Sequence, residues 1–88
     1  MRLANVVGTV VATQKDPGLA GRTLLVIQPL TPGGEASGAA LVAVDAVGAG
    51  VGERVFYVRG REASYPFLPA EVPTDAAIVG IVDHTDVV

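Results

Sequence analysis

Thr23-Leu-Leu-Val-Ile-Gln-Pro-Leu30 contains a run, Leu24-Leu-Val-Ile27, that is apolar on both faces a strand would present. Successive strand side chains point to opposite sides, so a strand with one wet face alternates apolar and polar residues. This run does not alternate, and neither does Ile78-Val-Gly-Ile-Val82. Both faces therefore need cover. In so short a chain, one face can line a barrel interior while the other meets a neighbouring subunit.

The surrounding sequence carries the same signature. The apolar residues are mainly Val, Leu, Ile and Ala, in short runs broken by Gly and Pro, which favours strands over helices. The pattern predicts strands near Arg2–Thr13, Thr23–Leu30, Ala39–Val47, Arg54–Arg59 and Ala76–Val82. Asp16-Pro17-Gly18 and Thr31-Pro-Gly-Gly34 are turn signals. Pro66, Pro69 and Pro73 forbid regular helix or central strand, and Arg61-Glu-Ala-Ser-Tyr65 can hold one helical turn before them. Gly8 and Gly80, inside the first and last strands, point to bends, bulges or close backbone contact. The fold class is thus all-β, a single domain over residues 1–88.

Composition bounds the function. Half of the 88 residues are hydrophobic and 17% are charged, more apolar surface than a chain this small can easily hide. Burial against copies of itself is the simplest outlet. The apolar runs fall far short of the roughly 20 residues a spanning helix needs, so no membrane partner is expected. The N-terminus shows no secretory pattern, and the absence of cysteine excludes disulfides and thiolate metal sites. A cytoplasmic location fits. A net charge of −3, with six scattered Lys and Arg residues, argues against nucleic acid as a partner.

Residues able to carry chemistry are sparse. Asp83, His84 and Asp86 lie close in sequence, but neighbouring strand residues diverge, and a metal site needs further ligands. Ser37 and Ser64 have no recognisable nucleophile setting. Asp75, after Pro73-Thr74, reads as a carboxylate that fixes a turn by bonding nearby amides. No catalytic residue, metal or cofactor is expected.

The stretch Asp45-Ala-Val-Gly-Ala-Gly-Val-Gly-Glu53 is more distinctive. Gly48, Gly50 and Gly52 leave the backbone bare and free to take positive φ. A phosphate cradle would want a following helix and a nearby lysine. Here Glu53-Arg-Val-Phe-Tyr-Val58 reads as a strand and no lysine follows. The remaining readings are a tight turn between strands or close packing of several chains around an axis.

Three segments carry a family resemblance. Gly8-Thr-Val-Val-Ala-Thr-Gln-Lys-Asp-Pro17 leads through Leu19-Ala-Gly21 into Leu24-Leu-Val-Ile-Gln-Pro-Leu30. Asp45–Glu53 follows, and then Pro73-Thr-Asp-Ala-Ala-Ile-Val-Gly-Ile-Val-Asp83. In this order and spacing they resemble the ethanolamine-utilisation and carboxysome vertex proteins, the pentameric shell proteins of bacterial microcompartments. The resemblance implies a small OB-like five-stranded β-barrel with a short helical turn, assembling as a cyclic homopentamer. It implies a structural, non-enzymatic role capping the five-fold vertices of a polyhedral microcompartment shell. The expected partners are other copies of the chain and the hexameric and pseudohexameric shell proteins of the facets. It also implies that Gly48, Ala49 and Gly50 line a narrow opening on the five-fold axis. Two other classes remain open. An OB-fold module for single-stranded nucleic acid would want basic residues and stacking aromatics on one face. A small enzyme or ligand carrier would want a site between subunits.

Overall fold

A computed structural model describes residues 2–10, 23–60 and 75–82. Its strands are β1 (Arg2–Thr9), β2 (Thr23–Pro29), β3 (Leu41–Asp45), β4 (Arg54–Arg59) and β5 (Ala76–Ile81). They form a closed barrel in the order β1-β2-β3-β5-β4. Every pairing is antiparallel except β3 with β5, which run parallel and meet only at Val44↔Ala77 and Asp45↔Ile78. That short parallel seam closes the wall. Among the described residues no helix is long and apolar enough to cross a membrane.

The alternation hidden in the apolar runs becomes visible in burial. On β2, Leu25 and Ile27 point inward and are 1% and 0% exposed, while Leu24 and Val26 point outward and are half-buried. The interior is completed by Val6, Val55, Tyr57 and Ile78, with Ala4, Ala43 and Ala76 between them. Large and small side chains interleave, as a narrow barrel requires. Each large aliphatic buried this way contributes about 1.5–3 kcal/mol from lost water contact. No polar or charged residue is buried among the described residues. A second apolar row crosses the outside of the wall through Leu24↔Val44, Val44↔Ala77 and Ala77↔Val58. Val44 and Ala77 in it are 2% and 0% exposed, so the wall is covered on both faces where β3 meets β5.

The glycines expected to bend the strands do so. The β1–β2 register shifts between Val6 and Gly8. The β4–β5 register shifts at Phe56/Tyr57, opposite Gly80 and Ile78, leaving Val79 as the extra residue. The Phe56 ring lies beside Gly80, where an added Cβ would stand 3.6 Å from Cδ2, in ordinary van der Waals contact. Ile81 packs against the core and Val79 is half-buried.

Strand ends are shorter than the pattern predicts. β3 is confined to Leu41–Asp45 rather than Ala39–Val47, because the Asp45 carboxylate turns the chain at once. β1 ends at Thr9, although the Val10 amide still donates to the Leu24 carbonyl at 3.0 Å. Thr31–Gly34 is a turn as expected, closed by the Gly34 amide on the Thr31 carbonyl at 2.8 Å. The Asp16-Pro17-Gly18 turn, the helical turn at Arg61–Tyr65 and the prolines at Pro66, Pro69 and Pro73 lie outside the described residues.

Candidate functional site

The glycine loop joins β3 to β4, and a carboxylate at each end shapes it. Asp45 Oδ1 accepts the amides of Val47 and Gly48 at 3.0 and 3.1 Å. At the other end Glu53 Oε1 accepts the Gly50 amide at 2.6 Å, and the Glu53 amide donates to the Gly50 carbonyl at 3.1 Å. The loop is anchored to β1 by Gly52 N–H on the Val6 carbonyl and Val6 N–H on the Glu53 carbonyl, both 2.9 Å. Gly48 and Gly52 have φ of 83° and 94°, where a side chain is strained.

Gly50 departs from the expectation, since its φ is not positive. Its role is that of a donor to Glu53, and the spacing of Gly50 and Glu53 was the signal that could have shown it. Ala49 differs from its neighbours too, because its methyl packs against the barrel core. A Cβ on Gly48, by contrast, would meet nothing within 4 Å. The loop therefore turns one small side chain inward and leaves bare backbone outward. An anion has little to hold here, for the amides of Val47, Gly48 and Gly50 already serve carboxylates and the next element is β4.

The other candidate residues do not converge. Ser37 is exposed, with its amide on the Pro29 carbonyl at 2.9 Å. The Asp75 carboxylate pairs with Arg59 Nη2 at 3.0 Å, and its carbonyl accepts the Gly60 amide at 2.9 Å. Among the described residues no cluster of His, Asp or Glu could hold a metal. Ser64, Asp83, His84 and Asp86 lie outside the described residues. A nucleic-acid platform is not assembled from the described residues either. Tyr57 is 2% exposed inside the barrel, Arg54 bonds Asn5 Oδ1 at 3.4 Å, and Arg59 is paired with Asp75.

The barrel's outer surface offers more than the loop. On β2 and β3, Val26 and Val42 form a direct cross-strand pair, and Val26 also faces Gly8. Val42 is 50% exposed, and Val7 at the β1 bulge is 53% exposed. On β1 and β4, Leu3 and Phe56 are likewise paired and floor an open groove of about 560 Å³. Leu30 and Pro32 from the β2–β3 connection form one wall, and Arg2 and Arg59 also line it. Sequence reasoning did not locate this groove, because its wall is a loop brought across from another strand pair.

Comparison with known proteins agrees with this architecture. A family model described as "Ethanolamine utilisation protein EutN/carboxysome" matches residues 1–83. The chain is 46% identical over 87 residues to the carboxysome shell vertex protein CcmL of Synechococcus elongatus, covering 99% of this chain and 88% of the relative. It is 45% identical over 87 residues to the bacterial microcompartment shell vertex protein PduN of Salmonella typhimurium, covering 94% of this chain and 96% of that one. Among solved structures, the GrpN pentameric microcompartment shell protein from Rhodospirillum rubrum superposes with a TM-score of 0.84 at 43% identity, covering all of both chains.

Proposed function

This chain belongs to the ethanolamine utilisation protein EutN/carboxysome family, and from that membership we infer that it is a pentameric shell vertex protein of a bacterial microcompartment. The observation that carries this reading is the match along nearly the whole chain to shell vertex proteins, on a barrel of the same shape. The role is structural. A pentamer supplies the five-fold corner that closes a polyhedral shell, and the compartment shell is where the protein resides. Hexagonal tiles alone make flat sheets, so a closed polyhedron needs such corners.

Three finer statements extend the reading. The chain is not an enzyme, a view supported by its kinship with structural shell vertex proteins. Its partners are hexameric and pseudohexameric shell proteins, which a vertex must meet along each side. Gly48, Ala49 and Gly50 line the opening on the five-fold axis, and the outward bare backbone of Gly48 supports that placement.

Native mass measurement tests the central reading. Particles of five chains are expected, as for the pentameric relative. A stable monomer at micromolar concentration sinks it. Co-expression with a hexameric shell protein tests the partners: closed shells should form with this chain and open sheets or tubes without it.

A further inference from the structure

We propose that the end of the barrel opposite the glycine loop binds a small organic acid, a carboxylate carrying a short apolar body, with Arg2, Tyr57 and Arg59 around its head group. The site is separate from the shell role, and neither reading needs the other.

The strands bring these residues together. β1 begins at Arg2, β2 ends at Pro29, β3 begins at Leu41 and β4 ends at Arg59, all at the barrel end away from the β3–β4 loop. Arg2 is the cross-strand partner of Tyr57, two residues along from the Ala4↔Val55 pair of the core. Side chains two apart on a strand share a face, so Arg2 and Arg59 continue the interior rows of β1 and β4 out to the rim. All three line the groove of about 560 Å³, a volume within the range of small-molecule sites. Leu3, Leu41 and Phe56 supply its apolar lining.

The polar groups on offer there are donors. The chain carries a net charge of −3, yet the described residues lining the groove include two arginines and no carboxylate. Arg2 enters no ion pair among the described residues. Arg59 gives Nη2 to Asp75 at 3.0 Å, but both side chains are exposed, and such a pair is weak. A guanidinium has five N–H donors, so Arg59 keeps others for a ligand. Tyr57 is 2% exposed, and its hydroxyl forms no hydrogen bond among the described residues. No fully buried side-chain polar atom lacks a partner among them, so that hydroxyl belongs to the small open part of Tyr57, on the groove it lines. The nearby carbonyls are engaged: Gln28 Nε2 donates to those of Pro29 and Gly38, both at 3.1 Å, and the Ser37 amide donates to that of Pro29 at 2.9 Å. Two guanidiniums and a phenol select an anion, and the planar guanidinium fork matches a carboxylate. The apolar lining favours an organic body over a bare inorganic ion.

The probe is 3-phenylpropionate, titrated into the assembled whole chain by isothermal calorimetry at neutral pH. The neutral 3-phenylpropanamide and inorganic phosphate serve as comparisons. The acid should bind saturably, and the amide and phosphate about tenfold more weakly or worse. Arg2→Gln and Tyr57→Phe should each weaken binding of the acid about tenfold, since each removes a hydrogen bond to a charged group. Arg2 is exposed, so Arg2→Gln tests the site even if Tyr57→Phe fails to fold. No saturable binding of the acid, an amide that binds as tightly, or an affinity that Arg2→Gln leaves unchanged overturns the site. Phosphate binding as tightly as the acid overturns the assignment to organic acids.

Discussion

The two faces of β2 are built from the same kinds of residue and meet different fates. Leu25 and Ile27 are 1% and 0% exposed within a single chain, whereas Leu24 and Val26 stay partly open. On β3 the contrast is sharper, with Ala43 at 1% and Val42 at 50%. The inner face completes its burial by folding. The outer face near Val42 stays open in the single chain, and a chain whose residues are half hydrophobic has apolar side chains for both faces. The same kinds of apolar residue thus stand on opposite sides of one wall, and only the inner set is buried by folding alone.

Substitutions can break either side of that comparison separately. The largest effect is expected inside. Ile27→Ala leaves a cavity in a core that has few large side chains, and should cost about 2–5 kcal/mol in urea denaturation. If the loss of unfolding free energy is less than about 1 kcal/mol, the interior collapses more readily than its packing suggests.

Val42→Asp addresses the outer face. At 50% exposure the carboxylate stays hydrated in the lone subunit, so circular dichroism should show an intact barrel. If the ring covers Val42, the same charge loses its water there without a partner, which costs several kcal/mol per contact. Native mass measurement should find dissociated subunits. A pentamer as stable as wild type would mean that Val42 faces solvent in the assembly.

The glycine loop sharpens the comparison on a third surface. If it gathers at the axis, Gly48→Asp brings five like charges together, while Gly48→Asn has the same shape and no charge. Asp and Asn both tolerate the left-handed conformation at φ 83° better than other residues. The Asp ring should dissociate more readily than the Asn ring at about 0.01 M salt, where screening extends over roughly 30 Å. The difference should shrink at about 0.15 M, where it extends over roughly 8 Å. Equal stability at low salt would move the loop away from the axis.

A smaller contrast lies within the loop. Gly48→Ala should cost about 1–2 kcal/mol from its positive φ. Gly50→Ala should be close to neutral for the subunit, since its φ is not positive and a Cβ there sits 3.5 Å from Glu53 Oε1. Thermal unfolding of both variants checks the order. A larger loss at Gly50 would show that the Glu53 contact cannot yield.

Much of this was legible in the residues. The strands at Thr23–Pro29, Arg54–Arg59 and Ala76–Ile81 follow from β-branched runs bounded by turn residues. Gly8 and Gly80 announced irregular strands, and both lie at register shifts. The ends of β3 were less legible, because Ala39–Val47 is apolar except at Asp45, whose side-chain bond to the Val47 amide ends the strand. The candidate site was half legible. Bare backbone at Gly48 could be anticipated, but the inward turn of Ala49 and the Gly50–Glu53 bond depend on how the loop sits over the barrel end.

The sequence by itself determined that this chain is all-β, that its runs need cover on both faces, and that self-association is the outlet. Those conclusions depend on local periodicity and on composition, which any stretch of chain carries with it. Only the tertiary structure decided which side of each run faces inward. A strand's two faces are equivalent until a neighbour is paired, and a shift of one residue exchanges them. The pairing Val26↔Val42 and the pairing Leu3↔Phe56 each join residues distant in sequence. Both pairs therefore exist only once the barrel has closed.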